Sequence, residues 1–489
     1  MMNTPRPPQD LFKQSSFING CWCDGESGLR TKILNPATLE CLGEIPLLSD
    51  DEINVAINAA HEAQKYWAQK SMSERCVFVR DLASACREHM DDLSLLLTLE
   101  QGKPLQEAKG ELEYGISFLE TYAELGLQSQ GHMLEHPHVQ NRILVNREPV
   151  GVVAAITPWN FPHAMITRKL GPALVSGCSM VLKPAPETPY SALALAVLCE
   201  KVGLPKGLFN VVTGDAESIG DVMTSHPKVR KLSFTGSTSV GKMLQEKSSR
   251  NLLKTSLELG GNAPFVVFED ADIDAAVQGL MVSKFRNVGQ TCVATNRVYL
   301  HERIQEIFIE KLVEQCRQLV MGYGWDEGVQ LGPLISDQAL KKVKRHLDWL
   351  KNHGAIPVYE APKMKGPYHK GFMGPQIYKH VPFQSIFMEE ETFGPIVAIS
   401  SFREEQEVLK WCNATDSGLA SYFYSRDLNR CFRFSKALKF GMVGVNEGLI
   451  STAKAPFGGI KHSGQGREGG AWGLEDYQEI KYTCIGGLD

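Results

Sequence analysis

The chain has 489 residues, 43% of them hydrophobic and 22% charged, and at roughly 150 residues per domain this predicts two to four domains, each with a core of its own. A formal net charge of -5 gives no electrostatic reason to bind nucleic acid or an anionic membrane, and no apolar run approaches the roughly 18 residues that would span a bilayer. Twelve cysteines, scattered without finger or paired spacing, fit reduced thiols and a cytoplasmic location.

The first ten residues hold one basic residue and three prolines with no apolar stretch, so no secretory signal is expected. Cys21 and Cys23 are too isolated for a metal site. Up to residue 130 the pattern is mostly helical: Ser49-Asp50-Asp51-Glu52 is a capping-box start, and 73–85 and 92–100 carry apolar residues at spacings of three and four. His132, Glu135, His136 and His138 are the one cluster of metal-ligand types. Pro137 interrupts any shared face there, so the segment reads as a polar arm and no metal is expected. From Gly151 short β-rich runs alternate with helices: 152–156, 165–176, 180–183, 192–202, 209–212 and 231–234, then a helix near Val240. A second series runs through 263–268, 272–287, 297–300, 304–320, 396–400, 405–414, 420–424 and 442–445. Such alternation implies parallel sheets covered on both faces, that is, two doubly wound α/β units. The runs 142–146 and 477–486 are strand-like and belong to neither series. Lys341, Lys342, Lys344 and Arg345, the densest basic run, share a stretch with Val343, Leu347 and Leu350 at helical spacing and read as a solvated helix face.

Two short segments carry the chemistry. Glu258-Leu259-Gly260-Gly261-Asn262 and Gly289-Gln290-Thr291-Cys292 set a carboxylate and a thiol among small, turn-forming residues. A thiolate that attacks a carbonyl needs both, because water must later break the thioester. A free cysteine is commonly a small buried hydrophobe. Here Gly289 and Gln290 form a loop after the helix that carries Arg286, where backbone amides and a cation are expected to lower the thiol pKa. Leu257 and Leu259 are expected to desolvate Glu258 and raise its pKa. Upstream, the turn from Phe234 through Thr235, Gly236, Ser237 and Val240 to Gly241 follows a strand and opens a helix whose amides can hold a pyrophosphate. Gly464-Gln465-Gly466-Arg467-Glu468-Gly469 matches the dinucleotide fingerprint in letters only: it follows a loop, with too little chain after it for a βαβ unit.

Taken together, these segments resemble the aldehyde dehydrogenase superfamily from about residue 15 onward, and within it the succinate-semialdehyde dehydrogenases. The stretches from Leu99 to Leu105 and from Glu475 to Tyr482 also look like that subfamily. The resemblance implies an α/β fold with two Rossmann-like domains and a small β arm: a cofactor domain from 1–130 and 150–256, a catalytic domain from 257–455, and an arm and tail from 131–149 and 470–489. The arm implies a homodimer or homotetramer. By the same resemblance Cys292 is the nucleophile, Glu258 the general base, and Asn160, in Pro158-Trp159-Asn160-Phe161-Pro162, an oxyanion donor beside the Cys292 amide. Lys169 and Glu468 match a supporting proton relay.

NADP or NAD is the implied cofactor. Lys183 matches a residue that meets the adenosine ribose, and Glu391 and Phe393 match residues that grip the nicotinamide ribose. The implied binding set extends to Ile156, Thr157, Pro158, Trp159, Pro186, Glu187, Gly214, Leu259 and Gly260, with the Gly236 turn and Glu258. Many NAD-preferring relatives place a glutamate three residues after the lysine; Pro186 stands there, with Glu187 next, which favours NADP somewhat. Arg168 and Arg286 flank the catalytic segments and, with Ser451, resemble the anchor for a substrate's far carboxylate. Either arginine is alternatively a structural ion pair. Ala294 replaces the second cysteine of many relatives, and Thr452-Ala453-Lys454 departs from the usual loop, which keeps a longer substrate such as glutarate semialdehyde open. A dehydrogenase for neutral aldehydes is the first rival; a CoA-acylating enzyme, for which Glu258 would be counterproductive, and a silent homologue follow.

Overall fold

The computed structural model describes residues 4–129, 131–364, 368 and 371–487. Residues 1–3 and 130 of the expected cofactor domain, 365–367 and 369–370 of the expected catalytic domain, and 488–489 of the expected tail lie outside them. Among the described residues one sheet has eight strands, in the order Gly464–Gln465, Lys254–Glu258, Val229–Thr235, Val152–Ile156, Ser179–Lys183, Phe209–Val211, Ser16–Ile18 and Cys21–Cys23. Its five central strands, from Lys254–Glu258 to Phe209–Val211, run parallel. Ser179–Lys183 is buried along its whole length, as are four of the five residues of Val152–Ile156, because helices cover both faces. One of those helices, Ala164–Ser176, is buried at all 13 positions and packs against the long helix Leu105–Gln128.

A second sheet has seven strands, ordered Ile356–Glu360, Gln376–Lys379, Ile396–Phe402, Thr295–His301, Ala263–Val267, Ala420–Tyr424 and Met442–Val445. All but the first pair in parallel. Each expected series thus folds into its own doubly wound layer. The two sheets present opposite edges to one another. In the first, register places Ile156 beside Lys183 and Phe234, and Thr235 beside Glu258, so the carboxyl ends of its strands form one rim. In the second, Asn262, Cys292 and Phe393 all come just before strands, at Ala263, Thr295 and Ile396, so the amino ends supply the opposing rim.

The first 46 residues differ from the helical expectation: they contain the strands Ser16–Ile18, Cys21–Cys23, Arg30–Leu34 and Cys41–Pro46. Strands of three to six residues carry little periodic signal. The turn chemistry was nevertheless present, since Asn19 and Gly20 adopt φ of 52° and 72°, the Asn-Gly pair that closes a two-residue hairpin. The capping box at Ser49 opens the helix Asp50–Trp67 as expected. The Gly464 segment is a short strand antiparallel to Lys254–Glu258; a Cβ on Gly464 would lie 1.8 Å from the Leu257 carbonyl oxygen, so backbone contact requires that glycine. The leftover runs pair with each other: Gln478–Ile485 lies antiparallel to Arg142–Pro149, whose other edge takes His132–Glu135. Residues Gly470–Glu475 form a helix. Among the described residues no helix is long and apolar enough to cross a membrane.

Candidate active site

Between the two rims lies a cavity of about 710 Å³. The first sheet contributes Thr235, Gly236, Ser237 and Glu258, and the second rim contributes Cys292, Glu391 and Phe393. Pro158, Trp159 and Asn160 close one wall, and Leu259 and Gly260 form part of the lining. Ser237 caps the helix Thr238–Ser249 by accepting from the Val240 amide, and the Gly236 amide donates to the Glu258 carbonyl at 3.0 Å. The start of that helix borders the cavity at Ser237, and amides there beyond the Ser237 cap suit an anionic phosphate. A Cβ on Gly260 would come to 3.0 Å from a Glu391 carboxylate oxygen, and the Gly261 amide donates to that carboxylate at 3.2 Å. Glu391 is pushed up to about 7 by burial. Phe393, at φ 54°, packs edge-on to Trp159 with ring centroids 5.5 Å apart.

Cys292 sits on a strained loop. Asn287 and Val288 take φ of 51° and 58°, a region that a β-branched residue rarely enters without support. The support is visible. Glu107 accepts from the Asn287 amide at 2.9 and 3.1 Å, and Gln101 donates to the Asn287 side-chain oxygen at 3.0 Å. Asn287 Nδ2 donates to the Asn160 carbonyl at 3.0 Å, and Asn160 Nδ2 donates to the Gln290 carbonyl at 3.0 Å. Lys103 Nζ also donates to the Asn160 carbonyl, at 2.8 Å, while paired at 2.5 Å with Glu111. The other Glu111 oxygen accepts from the His163 and Ala164 amides, at the start of the helix that carries Arg168 and Lys169. Sequence reading singled out Lys103 only as part of a subfamily-like stretch and passed over Glu111, Glu107 and Asn287. The signal was a pair of charges on the apolar face of a helix.

The thiol departs from expectation. Burial pushes Cys292 up to about 12, with Glu391 and Glu258 adding to the rise and Arg168 and Arg286 opposing it. Desolvation outweighs the two cations, so the resting form is the thiol. Glu258 is also raised, well above the usual carboxylate range, first by burial and then by Glu468. Both of its oxygens are buried without a hydrogen-bond partner. Behind it, Glu468 forms ion pairs with Arg168 and, at 2.6 Å, with Lys169, whose Nζ also donates to Ser233 at 3.0 Å. Burial pushes Glu468 up, but Arg168 and Lys169 prevail and hold it below the usual range.

The remaining expected residues spread around this centre. Lys183 is buried and donates to the Pro184 carbonyl at 3.1 Å, and its carbonyl accepts from the Thr157 amide. Glu187 lines the cavity, and with Pro186 it is exposed. Ile156 and Phe234 pair in register just beneath the rim; Gly214, at φ 153°, packs on the Leu48 backbone, outside the cavity lining. Arg168 is fully buried, stacked over Phe457 at 4.2 Å and Phe118 at 5.4 Å. The Arg286 guanidinium lies 5.2 Å from the Phe161 ring and, among the described residues, in no ion pair. Ser451 lies half-buried on the loop after Met442–Val445. The basic run is largely exposed as expected, on the helix Asp337–Asn352 whose Val343, Leu347 and Leu350 are buried, and Lys341, Lys342 and Arg345 also line the cavity, with Arg345 paired to Glu390. Helical spacing alone cannot tell a solvated face from one turned towards a cleft.

Residues 22–483 match the Aldehyde dehydrogenase family. The chain is 50% identical to a succinate-semialdehyde dehydrogenase [NADP(+)] of Escherichia coli, with 98% of each chain covered. It is also 50% identical to a 3-sulfolactaldehyde dehydrogenase of Pseudomonas putida, again with 98% of each covered. A glutarate-semialdehyde dehydrogenase of Pseudomonas aeruginosa is 49% identical, over 98% of this chain and 99% of the relative. With its thiol and carboxylate facing one cavity and a match along nearly its whole length, the chain belongs to the aldehyde dehydrogenase family.

Proposed function

We propose that this protein oxidises succinate semialdehyde, or a close semialdehyde with a terminal anion, to the corresponding acid. The observation that carries this reading is the single cavity shared by the Cys292 thiol, the unpartnered Glu258 carboxylate and the start of the helix at Ser237. In this reading residues 1–130 and 150–256 hold the cofactor and 257–455 carry the nucleophile. Because burial holds the thiol near 12, the thiolate forms only as its proton leaves, and Glu258 is the acceptor in reach of the same cavity. Attack on the aldehyde carbon makes an oxyanion, for which the second hydrogen of Asn160 Nδ2 and the Cys292 amide are the donors. A bound NADP or NAD supplies the two-electron acceptor that takes the hydride. Collapse leaves a thioester on Cys292; Glu258 passes the thiol proton outward along Glu468 and Lys169, and the freed carboxylate then draws the proton from the attacking water. Lys169 and Glu468 set the charge around Glu258 between the two half-reactions.

The dinucleotide fits the residues present. The Ser237 helix terminus and Gly236 suit the pyrophosphate, Glu391 and Phe393 suit the nicotinamide ribose, and Lys183 suits the adenosine ribose, whereas Ile156, Thr157, Gly214 and Val240 stand outside the cavity lining. With Pro186 in place of a carboxylate and Lys341 and Lys342 on the facing helix, NADP is the favoured form, as in the name of the Escherichia coli relative. Relatives named for succinate semialdehyde, glutarate semialdehyde and 3-sulfolactaldehyde share an aldehyde with an anion at the far end. Arg286 and Arg168, with Ser451 on the facing loop, are the groups of suitable charge. The exposed Met133, Ile480 and Tyr482 on the three-stranded arm support a homodimer or homotetramer, and the free cysteines support a cytoplasmic setting.

The test is reduced-cofactor formation with NADP and NAD over a panel of succinate semialdehyde, glutarate semialdehyde, 3-sulfolactaldehyde and butanal. Anionic aldehydes are expected to lead in kcat/KM. A lead for butanal would defeat the substrate reading, and a CoA thioester as product would defeat the hydrolytic one.

A further inference from the structure

Three observations converge on Tyr114, a residue of the helix Leu105–Gln128 to which nothing so far gives a role. Its hydroxyl oxygen is buried and has no hydrogen-bond partner in the protein. Its ring packs edge-on to Phe118 at 4.9 Å and joins Phe161, Ala164 and Met165 in one apolar cluster. The same two aromatic rings carry the guanidinium groups, with Arg168 over Phe118 and Arg286 over Phe161. Phe161 and Met165 in turn line the cavity that holds Cys292. Arg168 Nη2 is likewise buried without a hydrogen-bond partner, although Glu468 already offsets the charge of that guanidinium. Electrostatic neighbours of the hydroxyl include Arg168, Arg286 and Cys292.

A phenylalanine would fill this place without stranding a polar atom, since a buried hydroxyl that lacks a partner costs stability. Behind Phe161 and Met165, which line the cavity, the hydroxyl and the two guanidinium groups form a polar cluster with donors left over. With one arginine largely neutralised by Glu468, a second cation and a neutral donor together hold a single negative charge without over-neutralising it. We propose that the Tyr114 hydroxyl donates a hydrogen bond to the far-end anionic group of the substrate, beside the Arg286 guanidinium and the free Nη2 of Arg168. This rests on the reading of the substrate as an aldehyde with a terminal carboxylate or sulfonate. A hydroxyl aimed at the far end acts equally in ground state and transition state, so its loss raises KM and leaves kcat in place.

The experiment compares wild type with Tyr114→Phe on succinate semialdehyde and on butanal, an uncharged aldehyde of the same length. For succinate semialdehyde KM is expected to rise about tenfold with kcat within about twofold, and butanal is expected to keep its kcat/KM. Succinate, used as an inhibitor without turnover, is expected to weaken by the same factor, and its stabilising effect on thermal unfolding to shrink. Equal losses for both aldehydes, or no loss for either while wild type prefers the anionic one, overturn the proposal alone. If wild type shows no preference for the anionic aldehyde, the substrate reading falls and the proposal falls with it.

Discussion

The two sides of Cys292 solve recognition in different ways. Towards the proposed cofactor site, the wall is largely backbone and small residues: Gly236, Gly260 and the start of the helix Thr238–Ser249, with largely exposed cations from Asp337–Asn352 on the same lining. Towards the proposed aldehyde site, Arg168, Lys169, Glu468 and Glu258 are almost fully removed from water and already grouped. An open wall of amides tolerates exchange of a loosely held molecule, because its groups are solvated whenever the site is free. A desolvated cluster cannot relax in that way. Each charge in it depends on its neighbour, and burial together with Glu468 keeps the Glu258 carboxyl shifted upward at a standing risk to stability.

The largest effect should come from the atom that belongs to both sides. Cys292→Ser is expected to lower kcat by at least about a thousandfold while leaving dinucleotide binding, read by fluorescence titration, within about twofold. Retained turnover would break the covalent scheme, whereas loss of cofactor binding would show that the two walls are not separable. Next comes the contrast in charge pairing. Glu468→Gln leaves Arg168 and Lys169 buried without a full countercharge and is expected to cost about 3–5 kcal/mol in denaturant unfolding. Glu390→Gln, which removes the half-exposed partner of Arg345 but leaves an amide that can still meet the buried His346, is expected to cost clearly less, about 1 kcal/mol. Similar losses for the two would erase the distinction drawn here between the two regions.

The same contrast explains what could be read from the chain. The strands 152–156, 180–183 and 231–234, the glycine turn at Gly236 and the two segments that bring Glu258 and Cys292 to one cavity were legible, because period, glycine and motif are local properties. So was the direction of the Glu258 shift, since Leu257 and Leu259 announce an apolar site. The direction for Cys292 was not, because it depends on how far the loop sinks between two sheets, and desolvation there exceeds what two arginines return. For Lys341, Lys342 and Arg345 the helix pattern gave the solvated face but not the cavity it borders. The Lys103, Glu111 and Asn287 network joins positions as much as 186 residues apart, as Gln101 and Asn287 are, and no window along the sequence contains it. The Asn19-Gly20 hairpin, by contrast, was written in two letters and passed over.

The finest test of the comparison is the sign of a pH slope. Glu391, on the cofactor wall, has its carboxyl raised from 4.5 to about 7 by burial, so the folded state holds its proton more tightly than the unfolded chain does. Its contribution to stability is complete below about 4.5 and is lost as pH rises through about 7. Glu468, in the aldehyde-side cluster, is lowered from 4.5 because Arg168 and Lys169 outweigh its burial. Its contribution is present above that value and is lost as pH falls below it. Unfolding free energies of wild type minus Glu391→Gln should therefore decline from acid towards neutral pH. The same difference for Glu468→Gln should decline in the opposite direction, below the ordinary carboxylate range. Parallel slopes would mean that one environment governs both carboxylates, in which case the separation into an open amide wall and a closed charge cluster would not hold.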